Sequence, residues 1–256
     1  MTIMRGEIEE STTVAARLIA RRDELEAVGA RLAARDPAVL VVAGRGTSDH
    51  AAIYARYLFE ASLGVPVALA AASLQTQYGV TSASPRSALL ALSQSGAGPD
   101  TIAVTEAARR AGALSIAITN DDASPLFAAA EIGVGLGAGP ERAVAATKTY
   151  LAELVAVALI AAGAAKELQR QATWVDGLGE LPDRMREALA RTDAWIARSA
   201  THPAWRALLQ ADRALAVARG YDYPNALESA LKLRETTGVF ADGYSAADLL
   251  HGPIAA

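Results

Sequence analysis

The sequence contains no cysteine, which excludes disulfide bonds, thiolate metal sites and a cysteine nucleophile. Aromatic residues are also scarce, at 5% of the 256 residues, whereas apolar residues make up 52%. A core must therefore be built mainly from Ala, Leu and Val. A chain of this length can bury a sizeable core as one large domain or two smaller ones.

Positive charge is limited as well. The 24 basic residues are outnumbered by 28 acidic ones, the formal net charge is −4, and there is no basic run. This balance argues against nucleic acid as a partner. Only Lys148, Lys166 and Lys232 are lysines. In an arginine-rich chain, a lysine within a motif indicates either a site that needs a compact ammonium group or a remnant of compositional bias.

No segment has the character of a membrane or export signal. The opening stretch "MTIMRGEIEESTTVAARL" is charged throughout and lacks the apolar centre of a signal peptide. The most apolar stretch, "TYLAELVAVALIAAGAAKEL", carries Glu153 and is flanked by Lys148 and Lys166. We therefore expect a buried or dimer-facing helix rather than a membrane span, and a soluble cytoplasmic protein with no membrane partner.

Unbroken apolar segments alternate with helical ones, a pattern that predicts a parallel sheet covered on both faces. An amphipathic helix is predicted over 5–35, closed by "RDP", a long helix over 142–165, and a helical stretch over 178–210. The strand candidates lie in "AVLVVAG", "VPVALAAA", "SALLALSQSG", "ALSIAITN" and "AEIGVGLGAG".

A repeat of the opening α/β pattern begins near residue 212. There "ALAVARGYDY" matches the strand, glycine turn and helix of "VLVVAGRGTS". We expect one strand and one or two helices in this second unit, with a sheet edge that must be covered or paired. The predicted organisation is an N-terminal helix (1–36), a first α/β domain (37–170), a helical connector (171–211) and an incomplete second domain (212–256).

Two turns rich in small polar residues follow strand candidates. In "GRGTSDH", Gly46 opens the turn and Ser48 lies near a helix start; in "SQSG", Ser93 and Ser95 supply hydroxyls and Gly96 permits close backbone approach. A helix N-terminus favours an anion, but each turn alone is equally consistent with an ordinary helix cap. "GRGTSDH" fits neither the dinucleotide fingerprint nor the Walker A loop. Together, at the carboxyl ends of two strands, the turns predict one phosphate site.

The third motif is "NALESALKLRETTGVFADGYSAADLLHGP". Spacings of four and three residues place Glu228, Lys232 and Glu235 on one face of a helix. By themselves these residues are explained more simply as a surface ion pair. His251 follows Glu235, and a lone histidine is more often structural than catalytic.

The segments "GRGTS", "LSQSG", "GPERAVAATKTYLAEL", "ALESALKLRE" and "HGP" occur in an order and spacing that resemble the sugar isomerase (SIS) family. The similarity is to the isomerase half of glutamine–fructose-6-phosphate aminotransferase and to stand-alone glucosamine-6-phosphate deaminase-like proteins, and it runs from about residue 40 to the end. It implies an α/β fold: a three-layer, parallel-sheet, flavodoxin-like SIS domain followed by the start of a second SIS unit.

The resemblance also implies roles. Glu235 matches the base that moves a proton between C1 and C2 through an enediol, and His251 matches the ring-opening residue, supplied by the partner subunit in the aminotransferase. Lys232 and Glu228 complete the catalytic set. A homodimer with a shared active site follows, without metal or organic cofactor. The residues matched to sugar-phosphate binding are Gly46, Thr47, Ser48, Ser93, Gln94, Ser95, Gly98, Val144 and Ala146.

Three departures from the family pattern refine these expectations. The sequence contains no glutaminase domain and no cysteine that could release ammonia, so we expect deamination or isomerisation rather than synthesis from glutamine. Gly98 stands where the aminotransferase has a phosphate-binding threonine, with Thr101 as a candidate replacement. The sequence ends just after "HGP", without the tail lysine of the family. We expect either a fragment that binds sugar phosphate and turns over poorly, or an activity that needs no tail.

The resulting expectation is a phosphosugar isomerase or deaminase that converts glucosamine 6-phosphate to fructose 6-phosphate and ammonia. One alternative is a non-catalytic module that senses sugar phosphate, which needs the serine turns but not Glu235, Lys232 and His251. The other is a deglycase that splits fructosamine 6-phosphates.

Overall fold

The computed structural model describes residues 2–199, 201–252 and 254. Its larger sheet has five parallel strands in the order β2-β1-β3-β4-β5, the order found in flavodoxin-like folds. The five strands are β1 (Val39–Ala43), β2 (Val67–Leu69), β3 (Ser87–Ser93), β4 (Leu114–Thr119) and β5 (Ile132–Gly135).

Helices connect these strands, and further helices precede and follow the sheet in the chain. They are α1 (Ile3–Ala20), α2 (Arg22–Ala34), α3 (Thr47–Leu63), α4 (Ala72–Tyr78), α5 (Pro99–Arg110), α6 (Pro125–Ala129), α7 (Lys148–Glu167), α8 (Leu181–Ser199), α9 (Pro203–Leu209), α10 (Tyr223–Thr237) and α11 (Ala246–Leu249).

Alternate residues of the central strand β3 point to opposite faces of the sheet. Leu90 and Leu92 join the main core with α3 and α7, whereas Leu89 and Ala91 pack towards α5 and α6. All four are buried. Both faces are covered, which is why the strands read as continuous apolar runs. The predicted three-layer parallel-sheet fold is confirmed.

The N-terminal region differs from the single helix expected over 5–35. It forms α1 and α2, separated at Arg21, whose φ of −95° and ψ of 19° interrupt the helix. The expected end at "RDP" is confirmed: α2 stops at Ala34, and Asp36 has a φ of 47° just before Pro37. A proline disfavours the helical conformation in the residue that precedes it.

Helix α7 is the centre of the main core. It packs against α1, α2 and α3. Among the described residues it is the one helix long and apolar enough to cross a membrane, yet 83% of its most apolar window is buried inside the protein. The prediction of a buried helix is confirmed. The helix begins at Lys148 rather than at 142, because residues 141–147 form a loop.

The second α/β unit contains two strands rather than the one expected. Strand β6 (Arg213–Ala218) pairs in parallel with β7 (Phe240–Ser245), and α10 connects them. Aspartate and glycine have low strand propensity, so Asp242 and Gly243 made β7 difficult to recognise as a strand from the sequence. Pro253 of "HGP" and the outermost expected domain limits, 1 and 256, lie outside the described residues. The division into domains stays a prediction.

Glycines allow α2 and α7 to approach closely. A Cβ atom on Gly29 would lie 1.8 Å from the Ile160 carbonyl oxygen, and one on Gly163 would lie 2.0 Å from the carbonyl oxygen of Glu26. Since both obstacles are backbone atoms, an added methyl group can be accommodated only if the helices separate.

We predict that Gly29→Ala lowers the free energy of unfolding by about 1–3 kcal/mol, the usual effect of overpacking. Urea unfolding measures the change. Gly179→Ala is the control, because a Cβ there meets no atom within 4 Å. Equal stability of the two variants would contradict this account of the helix crossing.

Candidate active site

The two small-residue turns lie side by side. Strands β1 and β3 are direct neighbours, and the turns leave their carboxyl ends, as the sequence predicted. Gly46, with a φ of 57°, directly precedes α3. Arg45 donates to Asp100 Oδ2 from Nη2 at 2.8 Å and from Nε at 3.1 Å. This ion pair links the first turn to the start of α5.

The second turn is compact and lined with polar groups. Ser93 Oγ accepts from the Gly96 amide at 3.1 Å, and Ser95 Oγ accepts from the Ala97 amide at 3.3 Å. Ser95 is exposed, whereas Ser93 and Gln94 are half-buried. Gly96 has a φ of 61°, and a Cβ there would lie 2.1 Å from Ser124 Oγ. Only glycine fits here, because the Ser124 side chain occupies the space that a Cβ would need.

Thr101 does not replace the hydroxyl that is missing at Gly98. Thr101 is 2% exposed, and its Oγ1 donates to the Gly98 carbonyl oxygen at 2.9 Å. The hydroxyl is therefore occupied within the first turn of α5.

Thr47 and Ser48 begin α3, and each hydroxyl has a hydrogen-bond partner on another helix. Thr47 Oγ1 donates to Glu228 Oε1 at 3.0 Å and accepts from Lys232 Nζ at 3.2 Å. Ser48 is 5% exposed, and its Oγ lies 2.7 Å from Glu153 Oε1. The first hydroxyl thus connects α3 to α10, and the second connects α3 to α7.

The charged row on α10 is not a surface ion pair. Lys232 Nζ lies 3.1 Å from Glu228 Oε1 and 2.8 Å from Glu235 Oε2. The side chains of Glu228 and Lys232 are 7% and 18% exposed, whereas that of Glu235 is 28% exposed. One ammonium group therefore lies between a buried carboxylate and one that solvent can reach.

His50 belongs to this cluster, although the sequence analysis did not select it. Its Nδ1 lies 2.6 Å from Glu228 Oε2. Burial acts to raise the pKa of Glu228, but the hydrogen bond with His50 and the charge of Lys232 outweigh it, and the pKa is lowered. Glu228 is thus held ionised. A spacing of three residues from Thr47 on α3 was the available signal.

Glu153 is a second residue whose role the sequence analysis missed. It is 1% exposed, and among the described residues its Oε2 is buried without a hydrogen-bond partner. Burial raises the pKa of Glu153 to about 8, while the hydrogen bond with Ser48 acts in the opposite direction. An ionisable residue within a long apolar helix was the sequence signal.

The loop over 141–147 carries two of the predicted sugar contacts. Val144 is 92% exposed, and Ala146 is half-buried. The loop is fixed from α1, because the Glu7 carboxylate accepts from the amides of Arg142 at 2.5 Å and Ala143 at 3.1 Å. Glu7 itself is 4% exposed.

The Glu141 carboxylate fixes the other end of the same loop. It accepts from the amides of Thr147 at 3.1 Å and Thr149 at 2.9 Å, and also from both hydroxyls. A negative charge at this position also stabilises the N-terminus of α7.

His251 lies apart from the cluster. It follows α11 on an exposed turn, where its amide donates to the Asp248 carbonyl oxygen at 3.0 Å. Within the described part of the chain, no hydrogen bond or ion pair joins its side chain to the other site residues. The same described residues contain no group of three or more His, Cys, Asp or Glu side chains arranged to hold a metal ion.

The arrangement thus places the two small-residue turns next to a carboxylate–ammonium–carboxylate row, at the edge where ligands of parallel sheets bind. The family model of the SIS domain matches residues 35–163, half of the chain. The chain belongs to the SIS domain family. The resemblance drawn from the sequence motifs is confirmed.

Relatives of this SIS chain include glutamine–fructose-6-phosphate aminotransferase [isomerizing] of Methanothermobacter thermautotrophicus. That protein is 37% identical over 211 residues, which cover 82% of this chain and 33% of the relative. The chain thus spans about a third of the length of the curated relatives that it matches.

Two solved structures are similar to this chain over nearly its whole length. A candidate phosphosugar isomerase of Silicibacter pomeroyi DSS-3 has a TM-score of 0.85 at 35% identity, covering 99% of this chain and 74% of that one. The C-terminal domain of glucosamine-fructose-6-phosphate aminotransferase from Francisella tularensis has a TM-score of 0.80 at 24% identity, covering 100% and 73%. At that identity the second match shows the fold alone.

We predict that Glu7→Ala releases the loop over 141–147. Loss of two hydrogen bonds to a buried carboxylate should lower the free energy of unfolding by about 1–3 kcal/mol. Hydrogen exchange at the Arg142 and Ala143 amides should accelerate. Glu9→Ala on the exposed side of α1 is the matched control, and comparable exchange in both variants would show that Glu7 does not hold the loop.

We predict that the free energy of unfolding of the wild type, compared with that of Glu153→Gln, falls as the pH rises from about 4.5 to 8. The unfolded chain releases the Glu153 proton near the ordinary pKa of 4.5, whereas the folded chain keeps it up to about pH 8. The stabilisation is complete below pH 4.5 and is lost through pH 8. Denaturant unfolding at several pH values measures it, and parallel curves for the two proteins would refute a raised pKa.

Proposed function

We propose that this chain belongs to a cytoplasmic enzyme that binds an amino-hexose 6-phosphate and converts glucosamine 6-phosphate to fructose 6-phosphate and ammonia. Water is the co-reactant. A proton leaves C2 of the open-chain aldose and a proton is added at C1, through an enediol-type intermediate that carries the amino group on C2. Water then adds to the resulting C2 imine, and ammonia leaves.

The observation that supports this proposal most is the position of Lys232. Its ammonium group lies between Glu228 and Glu235 and also reaches Thr47 Oγ1, the first residue after the Gly46 turn. Proton-transfer groups are thereby attached directly to the edge of the phosphate turns. A binding module requires the turns alone.

In the proposed complex the phosphate lies at the two turns. The positive N-terminal end of α3 favours an anion, and Gln94 and the exposed Ser95 of the "SQSG" turn supply side-chain donors. Contacts with this remote group supply binding energy that positions the sugar carbons. Val144 and Ala146 would lie against the sugar, on the loop that Glu7 and Glu141 fix.

Glu235 is proposed as the base because its carboxylate is open to solvent on one side and bonded to Lys232 on the other. It would take the proton from C2 and return it to C1. The Lys232 ammonium would stabilise the negative charge that develops on the intermediate. Glu228, kept ionised by His50 and Lys232, would hold that ammonium in place.

His251 is proposed to open the sugar ring, since an imidazole exchanges protons near neutral pH. Its exposed position agrees with a role in the site of a partner subunit. The active unit is therefore proposed to be a homodimer with shared sites.

We predict that Glu235→Gln lowers kcat for release of fructose 6-phosphate by about 100-fold or more, the usual contribution of a general base. Because Glu235 is not a phosphate ligand in this scheme, thermal stabilisation by glucosamine 6-phosphate should persist. The assay follows ammonia and fructose 6-phosphate together.

The exposed Glu106→Gln on α5 is the matched control. Stabilisation by the sugar phosphate without turnover in the wild type would support the sensing module instead. Turnover of a fructosamine 6-phosphate but not of glucosamine 6-phosphate would support the deglycase.

We predict that mixing two inactive variants, Glu235→Gln and His251→Asn, restores about a quarter of wild-type activity. In a randomly mixed symmetric dimer, half of the molecules are heterodimers, and each has one site with both native residues. Sedimentation should show a dimer. A mixture that remains inactive, or a monomer that turns over, would contradict the shared site.

A further inference from the structure

Glu153 has an unusual environment for a carboxyl group. It lies on α7 with 1% of its surface exposed, with Oε1 at 2.7 Å from Ser48 Oγ and Oε2 buried without a partner. A carboxylate in this position would leave negative charge uncompensated in the core. A neutral carboxylic acid can make the same hydrogen bond with Ser48 without leaving a negative charge in the core.

The charge of Glu153 decides what the Ser48 hydroxyl can do. An ionised carboxylate can only accept hydrogen bonds, so Ser48 must donate its one proton to Glu153. A protonated carboxyl group can donate to Ser48 Oγ instead, and a distance of 2.7 Å suits either direction. Ser48 then keeps its own proton for another acceptor.

We propose that Glu153 is a positioning residue whose bound proton makes Ser48 a donor to the phosphate group of the ligand. The inference rests on the proposed function, since it takes the phosphate to bind at the start of α3. Neutral Glu153 also avoids placing a second negative charge behind a phosphate dianion. Ser48 thus serves as a relay between a buried acid and the ligand.

The surroundings favour the protonated form. Burial is the main cause of the raised pKa of Glu153, and the negative charges of Glu228 and Glu141 add to it. Lys148 and Lys232 pair with other carboxylates, Lys148 with Glu10 and Lys232 with Glu228 and Glu235. The elements packed against α7 carry further titratable and charged groups, which include Glu7 and Glu10 on α1, Arg22 and Glu26 on α2, and His50 and Tyr54 on α3. Glu228 and Lys232 lie on α10, which packs against α3, and Lys148 and Tyr150 lie on α7 itself.

A pH-dependent affinity follows. With a pKa of about 8, most Glu153 side chains are protonated at pH 7. At pH 9 only about one Glu153 side chain in ten is still protonated. Because the apparent dissociation constant is divided by the competent fraction, the affinity for a sugar phosphate should weaken about tenfold over this range.

The experiment measures the Kd of fructose 6-phosphate by calorimetry from pH 7 to pH 9. This ligand carries no amino group, and its phosphate is already a dianion over the range, since the second pKa of a phosphate monoester is about 6. Unphosphorylated fructose is the ligand control. The proteins are the wild type, Glu153→Gln, Ser48→Ala and the exposed control Glu60→Gln, which makes the same chemical change on α3.

We expect the Kd of the wild type and of Glu60→Gln to rise about tenfold. Glu153→Gln should show no such rise, because its amide donates to Ser48 at every pH. Ser48→Ala should be weak at every pH, which keeps the test available if Glu153→Gln does not fold. An unchanged pH dependence in Glu153→Gln or Ser48→Ala, or a pH-independent wild type, would overturn the inference alone. A wild type that does not bind fructose 6-phosphate would overturn the proposed function as well.

Discussion

The close packing of α7 positions many of the groups on which the proposed function depends. Its small residues, with Gly163 facing α2, let the helix lie against α1, α2 and α3 at short range. This burial places Glu153 directly behind Ser48. It also fixes the start of the helix, and with it the loop that Glu141 and Glu7 hold. The packing of the core therefore also determines the geometry of the candidate site.

A second connection joins the two α/β units. Glu228 on α10 receives hydrogen bonds from Thr47 and His50 on α3 and an ion pair from Lys232. A buried ion pair contributes to stability only when its remaining hydrogen-bonding capacity is satisfied, and here both carboxylate oxygens have partners. The network holds the charged row of α10 against the start of α3, beside the first of the two small-residue turns. Neither unit forms this site alone.

Two of the buried carboxyl groups, those of Glu228 and Glu153, differ in how their charge is accommodated. Glu228 remains ionised because an imidazole and an ammonium group surround it, and its pKa is lowered. Glu153 has only a hydroxyl partner, and its pKa is raised to about 8. One therefore provides a fixed negative charge, and the other holds a proton. The ionised Glu228 anchors the Lys232 ammonium group, whereas a neutral Glu153 adds no negative charge next to Ser48.

Much of this protein follows from local sequence patterns. The apolar runs of β1 and β3 determined a doubly covered parallel sheet, and the spacing of Glu228, Lys232 and Glu235 determined a common helical face, because both depend only on backbone periodicity. The weak strand propensity of Asp242 and Gly243 is the reason that β7 was not predicted, and parallel pairing with β6 overrides that propensity in the structure. Only the tertiary structure decided that Ser48 faces Glu153 and that His50 faces Glu228. Those contacts cross between elements more than 100 residues apart, and they set the charge of each carboxyl group through burial and distance, which no local pattern specifies.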